Sequence, residues 1–196
     1  MQRGAVYIAS GGMSSVPAQS SRIVVIGSSC AGKSTFAQQL AEARGCAHIE
    51  LDELFWAENW TPKPKDEFLD LVKSASIGDA WVAAGNYSPA RDLLWSRATT
   101  IIWLNYSLRL VLWRGINRTV KRTLFGEVLF HGNRESFQRS FLSRESILWW
   151  IVSTYRRRQR EFESIRASGK FDHLQWFEAR HPAATAQILQ SLQNAA

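Results

Sequence analysis

The stretch Gly27-Ser28-Ser29-Cys30-Ala31-Gly32-Lys33-Ser34 fits the pattern G-x-x-x-x-G-K-[S/T] in full, and its neighbours are as informative as the match. Before it, Arg22–Gly27 (RIVVIG) is a nearly continuous aliphatic run, the pattern of a strand buried on both faces of a parallel sheet. After it, Lys33–Arg44 reads as a helix with Phe36, Leu40 and Ala43 on one face and Gly45 as a stop. A strand, a glycine-rich turn and a helix in that order are the context the motif requires. They commit the chain to an α/β fold that holds phosphates at the carboxyl edge of a parallel sheet.

The chemistry of the loop accounts for its residue types. Gly27 and Gly32 permit backbone dihedrals that side chains forbid, so the amides of Ser28, Ser29, Cys30 and Ala31 can turn inward as an anion nest. Lys33 is expected against the β- and γ-phosphates, and the Ser34 hydroxyl on magnesium. Thr35 can add a hydroxyl to the α-phosphate, and the helix start contributes its positive dipole end. The expected ligands are therefore ATP and Mg²⁺.

Further along, Ala47–Leu51 reads as a second strand ending in Asp52, and Trp60–Pro64, with Pro62 and Pro64, as a loop. Phe68, Leu69, Val72 and Ile77 recur at helical spacing within Asp66–Ile77. Trp81–Ala84 is a third strand running into Gly85-Asn86-Tyr87, and Thr99–Leu104 a fourth ending at Asn105. Two long helical regions follow, Ser107 to about Phe125 and about Ser146–Ile165, separated by a break at Gly126–Asn133. His173–Phe177 is expected as a fifth strand and Ala183–Leu192 as a closing helix. Residues 1–21, rich in Gly, Ser and Ala, read as a flexible tail, and 22–196 as one domain of a size that supports a single core.

Several classes are set aside. No apolar run reaches the roughly 20 residues a bilayer span needs. Two cysteines, Cys30 and Cys46, make no disulfide framework, which points to a reducing cytoplasm. The guanine-reading N-K-x-D motif and an ABC-type signature are both missing, and the chain is small for a motor ATPase. The net charge of +7 is uneven: residues 106–160 carry 12 Lys and Arg against three Glu, while the remainder is net acidic. A block of that kind favours phosphates, on nucleotides or on nucleic acid.

Candidate residues follow from position. Asp52 lies where open α/β sheets bind ligands and can orient or deprotonate an acceptor hydroxyl; Glu50 and Glu53 flank it. Gly85, Asn86, Tyr87 and Arg91 follow the third strand at the same edge and are expected to bind the acceptor. Arg114, Arg118, Lys121 and Arg122 fall within about a 100° arc of one helix, with Leu108, Leu112, Ile116, Thr119 and Val120 on the other side. Four cations without an interleaved acid repel one another unless an anion joins them. Arg134 and the Arg156–Arg160 cluster are weaker candidates of the same kind.

The loop, HIELDELFW at His48–Trp56, NWTPKP at Asn59–Pro64, GNYS at Gly85–Ser88 and YRRRQRE at Tyr155–Glu161 together resemble the small P-loop proteins related to adenylate kinase, often called DNA topology modulation proteins. The resemblance spans Arg22 to about Arg160. It implies a three-layer P-loop fold of nucleoside-monophosphate-kinase type, with a five-stranded parallel sheet and a helical lid at about 107–166. It also implies an ATP site at Gly27–Thr35, an acceptor site at the ends of strands two and three, and Arg114, Arg118 and Arg122 clamping phosphates from the lid. Two departures bear on catalysis: such proteins carry Asp where Ala84 stands, and Asp where Asn105 stands. Either carboxylate could hold the magnesium shell. The leading expectation is an ATP-dependent kinase acting on a small molecule, a nucleotide or nucleoside foremost. The alternatives are a nucleotide-binding protein with little turnover and a nucleotide-dependent nucleic-acid binder using residues 106–160.

Overall fold

Five apolar runs become the frame of one sheet: Arg22–Gly27 (β2), Ala47–Glu50 (β3), Trp81–Ala84 (β4), Thr100–Leu104 (β5) and Gln175–Ala179 (β6). In this computed structural model residues 7–8, 21–125 and 147–194 are described, with side chains over 21–121 and 149–194. The five strands are mutually parallel, as the sequence predicts, and run in the order β6-β5-β2-β4-β3. Within the stretch read as a tail, Tyr7–Ile8 (β1) adds a short antiparallel edge strand against β6.

β2 is central and covered on both sides, which is why it is aliphatic at nearly every position. Ile23 and Val25 face one core cluster, with helices α1 (Lys33–Arg44) and α7 (Pro182–Asn194). Val24 and Ile26 face the other, with α3 (Lys65–Ala75) and α4 (Ser88–Trp95). The result is three layers.

Local chemistry moves some boundaries. β3 stops at Glu50, and Leu51–Phe55 forms a short helix, α2, so Asp52 sits on a helical first turn rather than at a strand end. Asp52 and Glu53 there face the positive end of the helix dipole. α3 ends at Ala75, and Ile77, expected on its buried face, is 69% exposed. Arg97 holds the Ser76 and Ile77 carbonyls beyond the helix, drawing the chain away from helical geometry. β6 begins two residues later than expected because Leu174 N–H closes a turn onto Phe171 C=O at 3.0 Å. α4 went unread in the sequence, although its Ser-Pro start is a helix signal.

The long helices are α5 (Leu108–Phe125) and α6 (Ile147–Ala167). The expected break at Gly126–Asn133 and the candidate Arg134 lie outside the described residues. The buried stripe of α5 runs through Val111, Gly115 and Thr119, so Ile116 and Val120, expected inside, are exposed together with Trp113. Helix α6 changes layers along its length. Ile151 and Tyr155 pack with the α1 cluster, whereas Phe162 and Ile165 pack with the opposite one, so its middle crosses the carboxyl edge of the sheet. No helix among the described residues is long and apolar enough to cross a membrane.

Candidate functional site

The phosphate loop starts where β2 ends and is held by contacts that explain its glycines. Gly27 has φ +146°, and a Cβ there would stand 2.5 Å from the Leu104 carbonyl oxygen of β5. Only glycine lets the loop leave the sheet at this point. Asn86 then acts as a false ladder rung: Gly27 N–H donates to its Oδ1 at 3.2 Å, and its Nδ2 donates back to the Gly27 carbonyl. Cys30 at φ 62° and Gly32 at φ 92° turn the chain back toward α1. Gly32 is the N-cap and offers no side chain to the first-turn amides, leaving them to an anion.

Lys33 reaches back within the loop, donating from Nζ to the Ser28 carbonyl at 3.1 Å. Taken whole the residue is half-buried, yet its ammonium is enclosed, and burial pulls its pKa down against the opposing pull of Asp52 and Glu50. A bound triphosphate would supply the counter-charge that this ammonium lacks at hydrogen-bond range.

Glu50, named in the sequence only as a neighbour of Asp52, is the carboxylate nearest the loop serine. It is 8% exposed at the end of β3, and its Oε2 has no hydrogen-bond partner. Burial raises its pKa, while the Ser34 hydroxyl and Lys33 work in the other direction. In the sheet register Glu50 lies beside Ala84, so it projects from the same face one strand over. A carboxylate thus stands one strand away from the position where one was expected. The E-x-D spacing of Glu50 and Asp52 was the signal available in the sequence. A buried carboxylate oxygen without a partner, next to the loop serine, fits the hard oxygen donors that Mg²⁺ prefers.

Asn105 is engaged differently. Its Nδ2 donates to Glu178 Oε1 at 2.9 Å and its Oδ1 accepts from Gln159 Nε2 at 2.7 Å. An aspartate here would face Glu178, so the amide is the form this site accommodates.

On the acceptor side Tyr87 donates its hydroxyl to Asp52 Oδ1 at 2.7 Å, and burial followed by the Asp52 charge raises the phenol pKa. Gly85, Asn86, Tyr87 and Arg91 line a small cleft with Leu51 and Trp95, on the opposite side of the sheet from α1. Gly85 is fixed by φ +148° and by Leu51, whose Cβ would lie 2.7 Å from any added Cβ. Arg91 lies over the Trp95 ring and pairs with Glu161 at 2.5 Å.

Of the three lid arginines, Arg114 touches the loop. Its Nη1 donates to the Ala31 carbonyl at 3.0 Å, and its guanidinium stacks 4.9 Å from the Tyr106 ring centroid. Arg118, one turn on, has a buried Nε without a partner. The Arg122 side chain lies outside the described residues. Arg158 of α6 donates to the Asn86 carbonyl at 2.9 Å, so a residue of the weaker cluster stands at the centre of the edge.

No protein-family model matches the sequence, and no curated protein matches it. Solved structures do match. A shikimate kinase from Acinetobacter baumannii in complex with shikimate is 14% identical, with 90% of this chain and 92% of that one covered at a TM-score of 0.53. A shikimate kinase from Bacteroides thetaiotaomicron is also 14% identical, covering 89% and 97% with a TM-score of 0.52. One from Aquifex aeolicus is 18% identical, covering 88% and 96% with a TM-score of 0.51. At these identities the shared property is the fold, and the fold is that of the small P-loop kinases.

Proposed function

We propose that this protein is an ATP-dependent kinase that moves the γ-phosphoryl group of Mg·ATP to a hydroxyl of a small molecule, of the adenylate-kinase-related kind. The observation carrying this reading is that adjacent residues tie the two halves of one sheet edge: Asn86 is hydrogen-bonded to Gly27 of the loop, and Tyr87 donates to Asp52 at 2.7 Å. A donor held at the loop would meet an acceptor held at Asp52 and Tyr87 without either leaving the edge. Phosphoryl transfer asks the protein mainly for positioning and charge stabilisation, and both kinds of group are at hand.

In this reading the loop amides and Lys33 bind the triphosphate, and Asp52 orients the acceptor hydroxyl and takes up its proton. Tyr87 fixes the Asp52 rotamer through the 2.7 Å hydrogen bond. Arg114 and Arg118 approach from α5 to meet charge on the phosphates. Ser34 and Glu50 would hold magnesium, which when bound neutralises oxygens of the β- and γ-phosphates. The low-turnover alternative drew on Ala84 and Asn105, and Glu50 weakens its first premise.

The test is acceptor-dependent ADP formation with Mg·ATP over a panel of nucleosides, nucleoside monophosphates and hydroxy acids, shikimate among them because of the shared fold. Stimulation by one class over the rest supports the proposal. The same basal ADP rate whatever is added counts against it and favours a nucleotide binder.

A further inference from the structure

Because α6 crosses from one core layer to the other, residues 158 and 159 lie over the strand ends. Gln159 reaches Asn105 after β5, and Arg158 reaches Asn86 after β4. Arg91 at this edge is ion-paired with Glu161. Arg158 differs. It is half-buried, and among the described residues no carboxylate lies within 4.0 Å of it. Its hydrogen bond goes to a neutral carbonyl. Burial lowers its pKa, Glu161 opposes that from a distance, and Arg157 and Arg91 add to it. Its partner Asn86 both lines the cleft and bonds Gly27 of the loop, which puts Arg158 between the two.

A half-buried guanidinium whose hydrogen bond goes to a neutral carbonyl can take an oxyanion, which meets its planar donors well. We propose that Arg158 binds an oxyanion carried by the phosphate acceptor, a carboxylate or a phosphate monoester, and so holds the acceptor's hydroxyl between Asp52 and the loop. The word acceptor rests on the kinase reading; the anion site does not. The Asn86 bond gives the site a built anchor, since the same asparagine grips Gly27.

The experiment uses the full chain saturated with Mg²⁺ and a non-hydrolysable ATP analogue, so that the loop is already filled. Methyl phosphate, acetate and neutral glycerol are titrated at constant ionic strength, with tryptophan emission as the signal, because Trp95 lines the cleft. A saturable response to at least one anion and none to glycerol is expected, weakened about tenfold or more by Arg158→Gln. That variant keeps an N–H for the Asn86 carbonyl but no charge, and a thermal melt checks its fold. Arg158→Lys, should the first variant melt early, is expected to keep part of the affinity. Tighter methyl phosphate marks a phosphate-bearing acceptor, and tighter acetate a carboxylate. No saturable response in the wild type, or equal affinity in Arg158→Gln, overturns the site. If an anion binds there but no acceptor is phosphorylated, the proposed function falls and the site stands. If an acceptor is phosphorylated with an unchanged KM in Arg158→Gln, the function stands and the site falls.

Discussion

Glu50 is a carboxylate held out of water, with one oxygen that accepts no hydrogen bond and has the His48 ring nitrogen 4.0 Å away, and such an atom costs about 1–3 kcal/mol until something binds it. Glu50→Gln is therefore expected to stabilise the ligand-free protein slightly while weakening Mg²⁺-dependent ATP binding about tenfold, read from Mg²⁺ titrations at fixed analogue. The pH dependence has a definite sign. A carboxylate with a raised folded-state pKa binds more protons folded than unfolded, so stability falls as pH rises from the ordinary carboxylate range through the raised value. Urea melts across that window should show the fall in the wild type, and Glu50→Gln should flatten it. Ala84 belongs to the same argument. It is fully buried and in register with Glu50, so Ala84→Asp sets two carboxylates side by side. A loss of about 2–3 kcal/mol in a melt is expected, with no gain in turnover. Raised turnover with unchanged stability would mean that position 84 can carry the metal after all.

Elements meet at the sheet edge through a few polar side chains, and Asn105 shows how specific these are. Asn105→Asp replaces a donor to Glu178 with a second negative charge between β5 and β6. We expect a loss of about 2 kcal/mol at pH 7 that shrinks near pH 5 as the coupled pair takes up a proton. Urea unfolding at both pH values measures it; an equal loss at both would point to geometry rather than charge. The same edge marks what was legible in the sequence. The loop, β2, β4 and α1 could be read because local pattern and tertiary burial agree there: RIVVIG is aliphatic because two layers cover it. The exposure of Ile77 depends on Arg97, a partner outside any local window, whereas the later start of β6 comes from a local turn between Phe171 and Leu174 that the apolar pattern does not mark. Glu50 and Arg158 were named in the sequence only as a flanking residue and a member of a weaker cluster, for another reason. Each looks like an ordinary surface charge until β4 and α6 bring it to the site. The inward turn of α5 was misjudged by one position, since periodicity locates a face only to within the arc its polar residues leave free.

On the scale of the whole molecule, the basic residues that 106–160 contribute to α5 and α6 include Arg114 and Arg158, both at the site itself. That placement separates a kinase from a nucleic-acid binder. In a kinase, Arg118→Ala should reduce turnover about tenfold to a hundredfold with little change in ATP affinity. In a nucleic-acid binder it should instead weaken DNA binding mildly and lower the salt slope by about one. Measuring all three on one variant decides between them. The account as a whole joins a donor site at the loop to an acceptor site at Asp52, and Asp52→Asn is the change that divides the two. The most direct measurement follows label from γ-³²P-ATP into an acceptor while Mg·ATP affinity is titrated on the same protein. The account predicts transfer reduced at least about a hundredfold in Asp52→Asn with Mg·ATP affinity unchanged within about twofold. Transfer at the wild-type rate, or affinity for Mg·ATP lost along with transfer, would contradict it.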